Sequence, residues 1–279
     1  MAGSERSSGS ISPTAHYTGE TWVKHGLSHP GLATWQGRLF HGTLALPNAL
    51  SRLAGGPSLD GLLLARHRII DALLDDLIQG GVSQVIEAAC GMSPRGWRFG
   101  ERYGDKLTYI EADLPPMARR KREALAQIGS LGEHHRVEDL DILSNGGPGS
   151  LEALTESMDP SRGLAIVTEG LLAYFDDATV EALWARLARM LRPFGTGVYL
   201  ADIHIGPASV TERAFELLLG AFVRGGVHAY GEGEEDAETA FRTAGFEQVS
   251  LYRCDEHPAA GEAASDAGAG MLSIVRAVA

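Results

Sequence analysis

Acids recur in this chain at the ends of short apolar runs, where a carboxylate can accept bonds from the hydroxyl or amino groups of a ligand. Glu87 closes the run in QVIEAACGMSPR (residues 84–95), and the small residues that follow, Ala88, Ala89 and Gly91, let backbone come close to a ligand. Glu111 and Asp113 close the run in YIEADLPPMARRK (109–121). Alternate residues of a strand share a face, so these two acids point the same way, and one of them is expected to accept bonds from ribose hydroxyls. Asp139-Leu140 ends the next run. In a doubly wound α/β sheet that position offers a side chain to an adenine amino group and a backbone amide to the ring; spacing alone fits a plain turn aspartate equally well. Glu169 opens EGLLAYF (169–175), an acid, a glycine and an apolar-aromatic stretch, which brings Glu169 and Tyr174 to a crevice where a donor and an acceptor would meet.

Groups able to move a proton are few. Asp202 and His204 end a further apolar run on the same rim. A histidine there is a base, a substrate contact or a satisfied surface residue, and the bland readings together are favoured over catalysis. His16 and Tyr17 are the other candidate bases for a phenol or enol acceptor, or contacts to it. Glu87 could meet a ligand ammonium, or an arginine such as Arg66 or Arg95 in a structural ion pair. No Ser/His/Asp order, metal-ligand spacing or phosphate loop is present, and Gly55-Gly56 and Gly80-Gly81 read as turns.

The elements that must position these residues alternate regularly. An amphipathic helix covers Ser58–Gln79 and ends at Gly80-Gly81. Strands follow at Gln84–Ala88, Leu107–Ala112, His135–Glu138, Leu164–Thr168 and Gly197–Ile203. Helices stand between them near Arg95–Tyr103, from Pro115 or Pro116, at Leu151–Met158 and at Asp177–Leu191. A long helix over Ala208–Arg224 and another after Glu232 lead to a strand at Phe246–Tyr252. Glu256–Gly270 is an Ala/Gly-rich linker expected to be exposed, and Met271–Val278 is the last strand. Two strands joined without a helix are naturally antiparallel. The expected fold is therefore α/β, a seven-stranded doubly wound Rossmann-like sheet with a final antiparallel strand. Residues 1–12 read as a disordered tail, 13–57 as a helical lid that selects the substrate, and 58–279 as the cofactor-binding domain.

Composition narrows the partners. The 279 residues carry a net charge of −12 and 44% hydrophobic content, enough for a full core and a poor match to nucleic acid. The basic run Arg119–Arg122 reads as a solvated helix face. No apolar run reaches the roughly 18 residues needed to span a bilayer, and the N-terminus has no secretory h-region. Two cysteines without paired spacing, Cys90 and Cys254, fit a reducing cytoplasm and argue against zinc. The expected partner is a small molecule, on a monomer or homodimer.

The nucleoside itself is either a dinucleotide or S-adenosylmethionine. A nicotinamide fingerprint needs G-x-G-x-x-G, and the matching positions hold Ala89, Gly91 and Pro94. Taken together, Ala65-Arg66; Glu87, Gly91 and Arg95; Glu111, Asp113, Pro115 and Lys121; Asp139-Leu140; and Glu169, Gly170, Leu172 and Tyr174 resemble the pattern of the leucine carboxyl methyltransferase family, over about residues 60–200. The N-terminal stretch looks more like its bacterial small-molecule, polyketide-type branch. The resemblance implies S-adenosylmethionine as cofactor and S-adenosylhomocysteine as product. It implies that Arg66, with Lys24, holds the methionine carboxylate, that Ala89 and Gly91 pass under the methionine part, and that Asp113, supported by Glu111, binds the ribose. Asp139 and Leu140 would frame the adenine, and Glu169 would lie near the methionine end. Ala89 departs from the family's usual glycine, which is tolerable if its φ stays negative, and Ser93-Pro94 stands where Asp-Thr is usual. The implied reaction is O-methylation of a small carboxylate or hydroxyl. Methylation at nitrogen or carbon, a nicotinamide oxidoreductase and a non-catalytic cofactor-binding module are the alternatives.

Overall fold

The computed structural model describes residues 13–206 and 228–279. The N-terminal tail and the helix expected over Ala208–Arg224 lie outside the described residues. Seven strands form one sheet: β1 (Val82–Ala88), β2 (Thr108–Asp113), β3 (His135–Asp139), β4 (Gly163–Thr168), β5 (Gly197–Ile203), β6 (Gln248–Arg253) and β7 (Ser273–Val278). Their order is β3-β2-β1-β4-β5-β7-β6, parallel throughout except for β7, which runs antiparallel to both β5 and β6. The late strand thus inserts between its two predecessors. β1, β4 and β5 are buried on both faces, which is why they read as near-continuous apolar runs.

Helices cover both faces. They are α1 (Pro13–Lys24), α2 (Trp35–Leu53), α3 (Leu59–Gln79), α4 (Arg95–Tyr103), α5 (Pro115–Gln127), α6 (Leu151–Glu156), α7 (Asp177–Leu191) and α8 (Glu234–Ala244). Five of these starts have a local cause. The side chains of Thr34, Ser58, Ser150 and Asp176 accept the amides of Gly37, Gly61, Ala153 and Thr179, and Pro115 occupies the first turn of α5, where an N–H would have no partner. One core packs α7, α8 and their aromatics Trp184, Tyr230, Phe241 and Phe246 on one face of the sheet; the other packs α3 and the C-terminal segment on the opposite face.

The Ala/Gly-rich linker, expected to be exposed, is so only in part. Residues Pro258–Ser265 and Ala269–Met271 form 3-10 turns that bury Ala260, Ala263 and Ala269 against α3. Asp266 accepts the Ser58 amide at 2.9 Å and its hydroxyl at 2.6 Å, so this segment also braces the start of α3. Gly61 makes the approach possible, since a Cβ there would lie 2.2 Å from Asp266 Cγ. Small side chains here serve close packing, which composition alone reads as flexibility.

Candidate active site

Strand order reverses between β1 and β4, and crevices form beyond the carboxyl ends of strands at such points. A cleft of about 590 Å³ lies there, within the usual range for a small-molecule site. Ala89–Met92 after β1, Asp113–Met117 at the end of β2, Leu140–Leu143 after β3 and Glu169–Leu171 with Tyr174 and Phe175 after β4 line it, and Thr14, Ala15, Thr18 and Trp22 of α1 close one side.

The turn after β1 is fixed from outside. Cys90 donates its amide to the Ala112 carbonyl at 3.1 Å, and Gly91 donates its amide to Asp113 Oδ2 at 2.7 Å. Lys121, fully buried on α5, donates to the carbonyls of Gly91 and Ser93 and pairs with Glu111 Oε2 at 2.9 Å. Ala89 is the one non-glycine residue with positive φ among the described residues, at 57°. The condition under which an alanine is tolerable here, a negative φ, is therefore not met. A left-handed L-residue costs roughly 1–2 kcal/mol. Ala89→Gly should raise stability by about 1 kcal/mol, seen as a melting temperature higher by about 2–4 °C; an unchanged or lower one would refute the strain.

Asp113 sits at the lip of β2. Its Oδ1 accepts the Leu114 amide at 2.7 Å and its Oδ2 that of Gly91. A carboxylate has about four acceptor sites, so two remain for ligand hydroxyls. Burial raises its pKa above the ordinary aspartate value, although the two amides and Lys121 pull the other way. Glu111 does not support it. That side chain is completely buried between Lys121 and His135, whose Nε2 lies 3.5 Å from Oε1, and Gly96 packs so closely that a Cβ would lie 2.0 Å from the carboxylate. The two acids do share a side of the strand, but the carboxylate two residues back is under the turn, not in the cleft.

The other end of the cleft carries charge. Arg66 on α3 lines it and pairs with Glu169 Oε1 and Asp202 Oδ2, both at 3.1 Å. Glycine suits position 170: its φ is 68°, and a Cβ would meet Arg66 Nη2 at 2.8 Å and push on its ion pairs. Glu169 also receives Arg95 Nη2 at 2.6 Å, and His67 Nδ1 lies 2.9 Å from the same oxygen. Burial opposes its ionisation, yet His67, Arg95 and Arg66 hold its pKa well below the usual glutamate range. Asp71, paired with Arg95 and Arg98, is lowered in the same way against its burial, by His67, Arg95 and Arg98. Depressed pKa values give stability that is complete above the unfolded values, about 4, and is lost as pH falls toward the folded ones. The carboxylates should make urea midpoints fall steeply below about pH 4.5, after the shallower decline from about pH 6.5 that the lowered pKa of His16 gives; no steepening down to pH 3 would contradict these pairings.

Several candidates stand elsewhere. Glu87 is buried in the structural ion pair, bonded to Arg95 Nη1 at 2.6 Å and Tyr109 OH at 2.7 Å. Lys24 lies 2.9 Å from His41 Nδ1 and does not line the cleft. His16 Nδ1 lies 3.0 Å from the Thr34 hydroxyl, where burial and then Arg120 lower its pKa and keep it neutral. Tyr17 donates to Asp60 at 2.8 Å, and burial beside that acid raises its pKa far above the ordinary phenol value. His204 lines a separate, much smaller cavity with His228 and Tyr230. Asp139 is half-exposed and pairs with Arg122 at 3.2 Å, while Leu140 and Asp141 line the cleft. Tyr174, Ala89 and Gly91 are cleft residues as expected. The sequence does not single out Trp22, Met92, Asp141 or Phe175; Asp141 stands two residues beyond Asp139, and α1, expected as part of the lid, brings Thr14, Ala15, Thr18 and Trp22 to the cleft in place of His16 and Tyr17. Cys90 lines the cleft too, but burial raises its thiol well above its ordinary pKa.

The sheet order and the cleft at its reversal point define a seven-stranded methyltransferase fold. A DUF574 family protein from Streptomyces avermitilis shares it with a TM-score of 0.65 and 14% identity, over 95% of this chain and 96% of that one. So does a "putative methyltransferase" from Thermobifida fusca, with a TM-score of 0.62 and 13% identity over 94% and 93%. Within that fold the chain belongs to the leucine carboxyl methyltransferase family, whose model matches residues 32–188. It is similar to a "Putative S-adenosyl-L-methionine-dependent methyltransferase" of Rhodococcus jostii, 32% identical over 154 residues, 55% of this chain and 50% of that protein. The chain thus spans about half the length of that curated relative. Family membership removes the nicotinamide alternative. No helix among the described residues is long and apolar enough to cross a membrane, and no group of metal-ligating side chains occurs among them.

Proposed function

We propose that the protein is an S-adenosylmethionine-dependent methyltransferase that methylates an oxygen of a small molecule, a carboxylate above all, in specialised metabolism. The observation that carries this reading is Asp113, an acceptor with two anchored oxygens and unfilled lone pairs at the lip of β2. The cleft residues suit the cofactor along its length. Asp113 would take the ribose hydroxyls, Leu140, Ile142 and the side chain of Asp141 would frame the adenine, and the turn at Ala89 and Gly91 would pass under the methionine part. Arg66 would hold the methionine carboxylate, with Glu169 orienting the guanidinium. When bound, the cofactor supplies an electrophilic methyl group on a sulfonium.

The chain's own part is to position, desolvate and balance charge. Glu169, held ionised by three cationic or hydrogen-bonding partners, is a poor proton acceptor. His16 and Tyr17 are turned into other contacts. No histidine lines the cleft among the described residues. An acceptor already ionised at pH 7 needs no base. Trp22, Met92, Leu171, Tyr174 and Phe175 make the acceptor side apolar, and a low-dielectric site favours a transfer in which opposite charges on donor and acceptor cancel. The segment 13–57 acts as a substrate-selecting lid through α1, which reaches the cleft; α2 does not line it.

The test is transfer of a radiolabelled methyl group to a panel of carboxylic acids and phenols, followed by mild base. Label released as methanol marks an ester and supports the reading. Base-stable label would move the acceptor to a hydroxyl, nitrogen or carbon. Absence of S-adenosylmethionine binding by calorimetry would end the proposal.

A further inference from the structure

The solvent side of α2 is apolar along its whole length. Trp35, Leu39, Leu46, Leu50 and Leu53 are 64, 56, 68, 57 and 85% exposed. Gly42, Thr43, Ala45, Pro47 and Ala49 stand exposed between them, and the charged residues of the helix are Arg38 and Arg52. Leu114 and Tyr174, the other large apolar side chains exposed among the described residues, both belong to the cleft. The face on α2 therefore has no part in the proposed chemistry. Its opposite side is already used: Gly37, His41 and Leu44 are buried against the rest of the molecule.

We propose that α2 is the interface with a second copy of this chain, the two helices packing antiparallel across a two-fold axis at Leu46. The spacing is self-complementary about that residue. With Leu46 on the axis, Leu39 falls opposite Leu53 of the second copy, and Gly42 falls opposite Leu50. Gly42 has nothing within 4 Å of where its Cβ would stand, so it leaves room for the facing leucine. A two-fold interface needs just this match of one surface with itself, and antiparallel helices also align their dipoles favourably. The five large side chains expose roughly 600 Å² per copy, so their complete burial on pairing would remove at most about 1,200 Å², the lower edge of a specific interface. An anionic membrane fits the face less well, because a chain of net charge −12 is repelled by it.

Sedimentation velocity of the full chain from 1 to 100 μM tests this. The wild type should sediment as a dimer, and Leu46→Glu, which sets two carboxylates face to face on the axis, should weaken association by at least a hundredfold. Its melting temperature should equal that of the wild type at a dilution where the wild type is monomeric, since Leu46 is on the surface of each copy. Register is read separately by cross-linking under copper–phenanthroline, where the buried Cys90 and Cys254 do not compete. Leu46→Cys should link to itself, and Leu39→Cys should link to Leu53→Cys in a mixture faster than to itself. A wild-type monomer at 100 μM, a dimer that survives Leu46→Glu, cross-links in another register, or a monomer that floats with vesicles would each overturn the proposal.

Discussion

Asp113→Ala should weaken S-adenosylmethionine binding by roughly a hundredfold. The wild-type carboxylate keeps two lone pairs for hydroxyl donors after taking the amides of Gly91 and Leu114, and hydrogen bonds to a charged group contribute about 1.5–3 kcal/mol each. The loss is partly offset because the cavity left is at the lip of β2, where water can enter. Asp113→Asn, which retains one acceptor oxygen, should fall between. The sign with pH follows from burial. The ionised form accepts both donors, so affinity declines as pH falls through a pKa that lies above the ordinary aspartate value. Calorimetric titration at pH 8, 7, 6 and 5 measures both effects. Glu111→Gln provides the contrast: that side chain is sealed between Lys121 and His135, so its substitution should lower stability and leave affinity nearly unchanged. Equal affinity in wild type and Asp113→Ala would remove the main support for a nucleoside at this lip.

The strands, their order of appearance and the late antiparallel strand were legible in the sequence because each leaves a local trace: apolar runs for β1, β4 and β5, glycine or proline at their ends, and acids beyond them. Side-chain destination was less legible. Glu87, Glu111 and Asp113 all stand at strand ends, but each is assigned by its tertiary neighbour. Arg95 claims Glu87 across the loop between β1 and α4, and Lys121 claims Glu111. Asp113 alone meets backbone amides and the cleft. The same holds for the proton-moving candidates. His16 and Tyr17 look available in a helix of weak periodicity, and both prove to tie α1 to the start of α2 and to α3, through Thr34 and Asp60. Ala89 shows the limit from the other side: its residue type argues for a negative φ, and the bonds of Cys90 and Gly91 to β2 impose a positive one.

Arg95→Met should be the most damaging single substitution for stability, costing about 3–5 kcal/mol and lowering the melting temperature by about 10 °C. The guanidinium is fully buried and reaches three acids, Asp71 at 2.6 Å, Glu87 at 2.6 Å and Glu169 at 2.6 Å. Its removal strands these acids unequally. Asp71 keeps Arg98, and Glu169 keeps Arg66 and His67. Glu87 keeps only the Tyr109 hydroxyl. Arg95→Lys should recover little, because one ammonium cannot reach three carboxylates arranged for a planar fork. Adding Glu87→Gln to Arg95→Met should instead restore part of the loss, since it removes the acid left with the fewest partners. A double-mutant cycle on urea midpoints reads that coupling directly. The acid transition of the Arg95→Met protein should also begin at higher pH than in the wild type, because Glu169 loses one of the cations that hold its pKa down. Additive effects of the two substitutions, with an unmoved acid transition, would mean that Arg95 acts by filling volume and not by charge.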